Sequence, residues 1–153
     1  MNRARSALFA LALLLAGAST ASAAPPAAAE DSLVLIVSAD SPVARLEIID
    51  VRKLFLGYVV MRGDVSLLAV ANGSDERLQK AFLQNVIAMS ERAYEKRLLS
   101  IALRQGGRRP TVYASTQALL AAVAADPAAV SVAWARDVAQ DRRVKVLRVL
   151  WRD

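Results

Sequence analysis

Apolar and polar positions along the chain alternate between two periods. Residues 33–37 are Leu-Val-Leu-Ile-Val, an unbroken and partly β-branched run that stops at Ser38-Ala39-Asp40-Ser41-Pro42. Such a run predicts a buried strand that leads into a turn. Residues 47–55 carry Ile48, Val51, Leu54 and Phe55 at helical spacing, and Gly57 stands where that helix would stop. Residues 65–71 predict a second strand, fed by a Gly63-Asp64 turn and closed by Asn72-Gly73.

Ser74 is then the expected N-cap of a helix over 77–89, with Leu78, Phe82, Val86 and Met89 as its apolar stripe. Asp75 and Glu76 suit the positive end of that helix's dipole. Ser90 caps a further helix, whose turns are marked by Ala93, Arg97, Ile101 and Arg104 and which ends at Gly106-Gly107. Residues 111–113 predict a short strand, and Ser115 or Thr116 caps a helix over 118–124 that halts at Asp126-Pro127. Residues 130–134 and 144–151 are the last expected strands. Strands alternating with helices predict an α/β layered domain with a mostly buried sheet.

The amino-terminal segment has a different character. Arg3 and Arg5 precede a wholly apolar stretch from Ala7 to Ala16, and small residues then end in Ala21-Ser22-Ala23. A charged start, a short apolar middle and an A-x-A exit are the parts of a secretory signal peptide, here residues 1–23. An uncleaved anchor is the alternative, but the run is well short of the roughly 20 residues that span a bilayer. Residues 24–31, with Pro25 and Pro26, read as a disordered leader, and 32–153 as one domain. The expected location is therefore periplasmic or secreted, with no stable membrane insertion after cleavage.

Composition narrows the chemistry. The chain has a net charge of +6, and losing Arg3 and Arg5 leaves 18 basic side chains against 14 acids, or +4. The remaining basic residues are spread out, and aromatics make up only 5%, so a nucleic-acid surface is not expected. Cysteine and histidine are both absent, which removes the usual ligands of zinc, copper and haem iron and the commonest acid–base catalyst. No nucleophile–base pair, carboxylate pair or glycine-rich phosphate loop stands out, so no enzyme, cofactor or metal is expected.

Asn72-Gly73-Ser74-Asp75 between a strand and a helix is the most informative local feature. Free backbone N–H groups, a close-approaching glycine and a serine hydroxyl at a helix start can hold an oxyanion. An ordinary N-cap explains the same residues, since Asp75 and Glu76 already supply negative charge. Ser38, Ser41 and Ser115-Thr116 form similar polar entrances. Gly106-Gly107-Arg108-Arg109-Pro110 could clamp an anion or simply turn the chain.

The order of these segments resembles the phosphate-binding subunits of ABC transporters, in particular their short, exported, single-domain relatives. The likeness runs through Ser41-Pro42, the helix ending Lys53-Leu54-Phe55-Leu56-Gly57, Gly73-Ser74 with Arg77 and Phe82, and the later Asp126-Pro127-Ala128-Ala129. It implies an α/β fold, a single three-layer lobe of the type 2 periplasmic-binding-protein-like fold. It also implies oxyanion contacts at Gly73, Ser74 and Arg77, with Ser38 and Ser41 facing them, and phosphate or another small oxyanion as ligand. Asp75 and Glu76 stand where the family's loop has glycine and threonine, and Ser131-Val132-Ala133 replace its Gly-Tyr. Those departures support a second expectation: an interaction or sensory module that keeps the fold, binds no ligand and meets an envelope protein.

Overall fold

The structure, a computed structural model, describes residues 31–152; the signal-peptide reading and nearly all of the leader lie outside the described residues. The strands are β1 (Leu33–Ser38), β2 (Met61–Arg62), β3 (Val65–Ser66), β4 (Leu68–Asn72), β5 (Thr111–Tyr113), β6 (Ala129–Trp134) and β7 (Val144–Trp151). The helices are α1 (Ile48–Phe55), α2 (Glu76–Phe82), α3 (Glu91–Gln105), α4 (Thr116–Ala125) and α5 (Ala135–Val138). The main sheet has the order β5-β4-β6-β1-β7, and β2 and β3 form a separate hairpin. β4 runs parallel to β5 and β6, while β1 is antiparallel to both β6 and β7.

Helices cover both faces, giving three layers. Leu33, Leu35, Val37, Val130, Val132 and Trp134 pack against α1, α2 and α3 through Val51, Leu54, Phe55, Leu78, Phe82 and Leu98. On the other face Val34, Ile36 and Ala133 meet Leu119, Leu120 and Val123 of α4 and Val138 of α5. Burial on both faces is why β1 reads as an unbroken apolar run although its neighbours are antiparallel.

Local signals fixed several helix ends as expected. After α1, Tyr58 N–H donates to Lys53 O and Gly57 N–H to Leu54 O, both at 3.0 Å, with Gly57 at φ 91°. That bond pair is a Schellman closure, so the Phe-Leu-Gly ending has a conformational reason. Ser90 accepts from Ala93 N–H, Ser115 accepts from Ala118 N–H, and Gly106 closes α3 in the left-handed region.

Three expectations change. The strand over 65–71 is two strands, because Leu67 N–H turns aside to Val60 O and β3 pairs back on β2 around Gly63. The cap of α2 is Asp75, not Ser74, and the expected helix over 77–89 is interrupted. After Phe82 the chain makes a π-helical turn, Leu83–Ile87, which ends at Ala88 in the left-handed region (φ 59°). The wider turn lets Leu83, Val86 and Ile87 all reach the core, and Arg52 Nε donates to the freed Val86 carbonyl at 2.6 Å. Beyond these, the short α5 follows β6 directly and has no side-chain cap to mark its start.

Ala88 bears a Cβ in a conformation that disfavours one. Ala88→Gly is therefore expected to stabilise the fold by about 0.5–1 kcal/mol, read as a higher urea midpoint. A lower midpoint would contradict that reading of the turn.

Candidate functional site

Because β4, β5 and β6 are parallel, their carboxyl ends share one edge of the sheet. The loops after them, around Asn72–Asp75, Ala114–Thr116 and Trp134–Arg136, therefore stand side by side. Asn72 is buried and acts as the hub: its Oδ1 accepts from Ser74 N–H at 2.9 Å and from Ser74 Oγ at 2.8 Å, and its Nδ2 donates to Thr116 Oγ1 at 2.8 Å. The first of these is the two-residue return bond of an Asx turn. Gly73 donates to Tyr113 O at 2.8 Å, and a Cβ on it would lie 2.6 Å from Val112 Cγ1 and 3.2 Å from Tyr113 O, so a larger residue would have to displace the Val112 side chain.

Asp75 closes the loop. Its Oδ1 accepts from Leu78 N–H at 2.9 Å, and its Oδ2 accepts from Trp134 Nε1–H at 2.9 Å. One carboxylate thus caps α2 and satisfies the indole of a tryptophan that is 1% exposed. Around that ring the Cζ atoms of Arg77 and Arg136 lie 5.5 Å and 5.3 Å from its centroid, within cation–π range. Arg136 also pairs with Asp31, and its Nε lies 3.8 Å from Asp137. Partial burial pushes the Asp137 carboxyl above its usual range, Arg136 pulls against that, and the charge of Asp75 adds to it.

The expected oxyanion contacts divide into two groups. Gly73, Ser74 and Arg77 share the carboxyl edge, and Ser115 and Thr116 join them. Ser38 and Ser41 do not face them. β1 runs against β6, so Leu33 sits opposite Trp134 and Val37 opposite Val130. Ser38 and Ser41 therefore lie at the other edge of the sheet, roughly 16 Å away along a strand of this length. There Ser38 Oγ donates to Ala124 O at 3.2 Å and Ser41 Oγ to Pro127 O at 2.5 Å. The Gly106–Pro110 run is held by other elements, since Arg108 N–H donates to Gly57 O at 3.0 Å and Arg109 pairs with Glu95, while Arg109 and Pro110 line the same groove as Gly73. Asn72 belongs to the Asn72–Asp75 feature that stands out in the sequence, whereas Trp134 lies outside the oxyanion contacts expected there. The Asn-Gly-Ser order signals the Asx turn, whereas nothing local to Trp134 marks it.

No protein-family model matches the chain, and no curated protein sequence matches it. Solved structures do. An ABC-type phosphate transport receptor from Vibrio cholerae superposes with a TM-score of 0.58 at 16% identity, covering 77% of this chain and 46% of the receptor. A Clostridium perfringens protein, described as a phosphate ABC transporter substrate-binding protein with bound phosphate, gives 0.60 at 14% identity, covering 78% and 45%. PstS from Borrelia burgdorferi gives 0.57 at 12% identity, covering 78% and 47%. The fold is that of one phosphate-receptor lobe. The chain spans less than half the length of each of these proteins. Among the described residues, no helix is long and apolar enough to cross a membrane.

Asp75→Ala removes a cap and leaves the Trp134 indole N–H without its acceptor. Together these are expected to cost on the order of 2 to 3 kcal/mol in urea unfolding; a change within a few tenths would contradict the dual role. Asp137 behaves in the opposite sense. A raised carboxyl pKa leaves its contribution to stability intact below the unfolded value and removes it as pH rises through the folded one. Asp137→Asn should therefore be more stable than the parent at neutral pH, with the gap closing as pH falls through the carboxylate range. A gap that widens on acidification would reverse the assignment.

Proposed function

We propose that this chain is an exported, non-enzymatic lobe of the solute-receptor type that works by docking to a protein of the cell envelope, not by holding an oxyanion on its own. The observation that carries this reading is the Asp75 carboxylate. It occupies the amide at the start of α2 and the Trp134 indole, so the negative charge that a bound anion would bring is already supplied by the chain. Ser74 spends its backbone N–H and its hydroxyl on Asn72, which leaves the loop closed on itself. A single lobe also leaves any anion facing water, where each charge–dipole contact is weak.

Three of the serines weighed as contacts fit the non-enzymatic part of the reading. Ser38 and Ser41 donate to backbone carbonyls, and Ser74 to an amide oxygen, none of which can serve as a general base. Several arginines are engaged by carboxylates or by carbonyls, as at Arg62–Asp50, Arg143–Asp141, Arg52–Val86 and Arg148–Leu46.

A second reading keeps phosphate or another small oxyanion as ligand, with Gly73, Ser74 and Arg77 as contacts. It is favoured by the position of the Gly73-Ser74 loop at the carboxyl edge and by the phosphate bound in the Clostridium protein of the same fold. Isothermal titration of the exported chain with phosphate and sulfate separates the two. The docking reading expects no saturable heat at millimolar anion and recovery of a stoichiometric protein from envelope extract. Saturable phosphate binding without a second protein would overturn it in favour of the anion reading.

A further inference from the structure

The net positive charge of the exported chain gathers on one element. Residues 91–109 hold six arginines and lysines against two glutamates, and the other charged side chains of residues 24–153 balance at 12 basic and 12 acidic. Most of this segment is α3, whose buried side chains Tyr94, Leu98 and Ile101 hold it against the core. Arg92, Lys96, Leu99 and Leu103 follow one another at intervals of four, three and four residues, so they form one stripe on the opposite, outward face. On that stripe Leu99 is 51% exposed and Leu103 78%, although leucine is among the residue types most often buried.

Most of these cations are unspent. Among the described residues, no ion pair or hydrogen bond engages the side chains of Arg92, Lys96, Arg104 or Arg108. Arg97 reaches the Tyr58 hydroxyl at 2.9 Å, and Arg109 is held by Glu95. The two acids of the segment are already engaged, Glu95 by Arg109 and Glu91 by Gln79 Nε2, which donates to it at 3.2 Å. The stripe therefore presents positive charge and apolar surface together, with no carboxylate of its own helix left to neutralise it.

We infer that this face of α3 rests on the surface of an anionic phospholipid bilayer. A helix face that sets leucine beside arginine and lysine suits the boundary between headgroups and acyl chains, where the leucines enter shallow hydrocarbon and the cations meet phosphate. An outward helix face is convex and offers no pocket to an anchoring side chain of a partner, whereas a fluid bilayer conforms to it. Nucleic acid would meet the cations but leave both leucines without an apolar surface. The stripe uses none of the residues of the Asp75 cap, so the inference does not depend on the docking reading.

Co-sedimentation of the exported chain with lipid vesicles tests this. Vesicles of equal parts phosphatidylglycerol and phosphatidylcholine should take it up saturably, and pure phosphatidylcholine vesicles should not. Salt at about 1 M, where the screening length falls to about 3 Å, should release it. Lys96→Ser should weaken uptake about fivefold, as for one cation near the surface, and Leu103→Ser about tenfold. Both side chains are exposed, so both variants should keep the far-ultraviolet circular dichroism of the parent. Arg142→Ser removes an exposed cation on the turn before β7 and should leave uptake unchanged. No uptake by the phosphatidylglycerol vesicles, equal uptake by pure phosphatidylcholine, or a loss in Arg142→Ser equal to that in Lys96→Ser would overturn the assignment. So would tighter binding to polyglutamate than to the vesicles, which would put an acidic protein in place of the bilayer.

Discussion

The carboxylate of Asp75 ties the start of α2 to the end of β6, which the chain reaches much later. One oxygen terminates the backbone of α2 and the other accepts from the indole at the end of β6, 59 residues later. Trp134 is nearly inaccessible to water, so its N–H must find an acceptor within the protein. Asp75 is that acceptor, and meeting the need fixes where α2 begins. It also sets a negative charge beside a ring flanked by the guanidinium groups of Arg77 and Arg136. The start of α2 is thus an internally partnered joint.

Sheet topology decides what else that joint can meet. Parallel strands β4, β5 and β6 bring three loops to one edge, and Asn72 cross-links two of them through Ser74 and Thr116. β1 runs the other way and delivers its serines to the opposite edge, where their hydroxyls hold the carbonyls around the end of α4. A glycine contact stiffens another part of the fold: a Cβ on Gly107 would lie 2.5 Å from Gly57 O, so the end of α3 can lie directly on the closing turn of α1. The Gly-Gly-Arg-Arg-Pro run follows from that contact and serves packing. Its second arginine pairs with Glu95 of α3.

The sequence disclosed features whose causes are local. Ser90, Gly106, Ser115 and Gly57 each act within a single turn of helix, and each stands where its type predicts. The layered α/β class was legible for the same reason, since the alternation of periods reflects which faces are buried. Ser74 and Asp75 are both good caps by composition, and the choice between them is made by Trp134, which no local window contains. The helix expected over 77–89 breaks into a π turn in which three core contacts, Leu83, Val86 and Ile87, are reconciled with the hydrogen bond from Arg52. Ser38 and Ser41 were placed beside Ser74 because strand direction is a property of pairing: only the antiparallel register of β1 with β6 sends them to the other edge.

The central claim is that Asp75 is held by the Trp134 indole and stands in for an external anion. Hydrogen exchange of the Trp134 Nε1–H, followed by NMR with and without millimolar phosphate, tests it most directly. The expected result is a slowly exchanging indole proton whose rate and shift are unchanged by phosphate and which exchanges rapidly in Asp75→Ala. An indole proton that exchanges freely in the parent chain, or that shifts saturably as phosphate is added, would contradict the account.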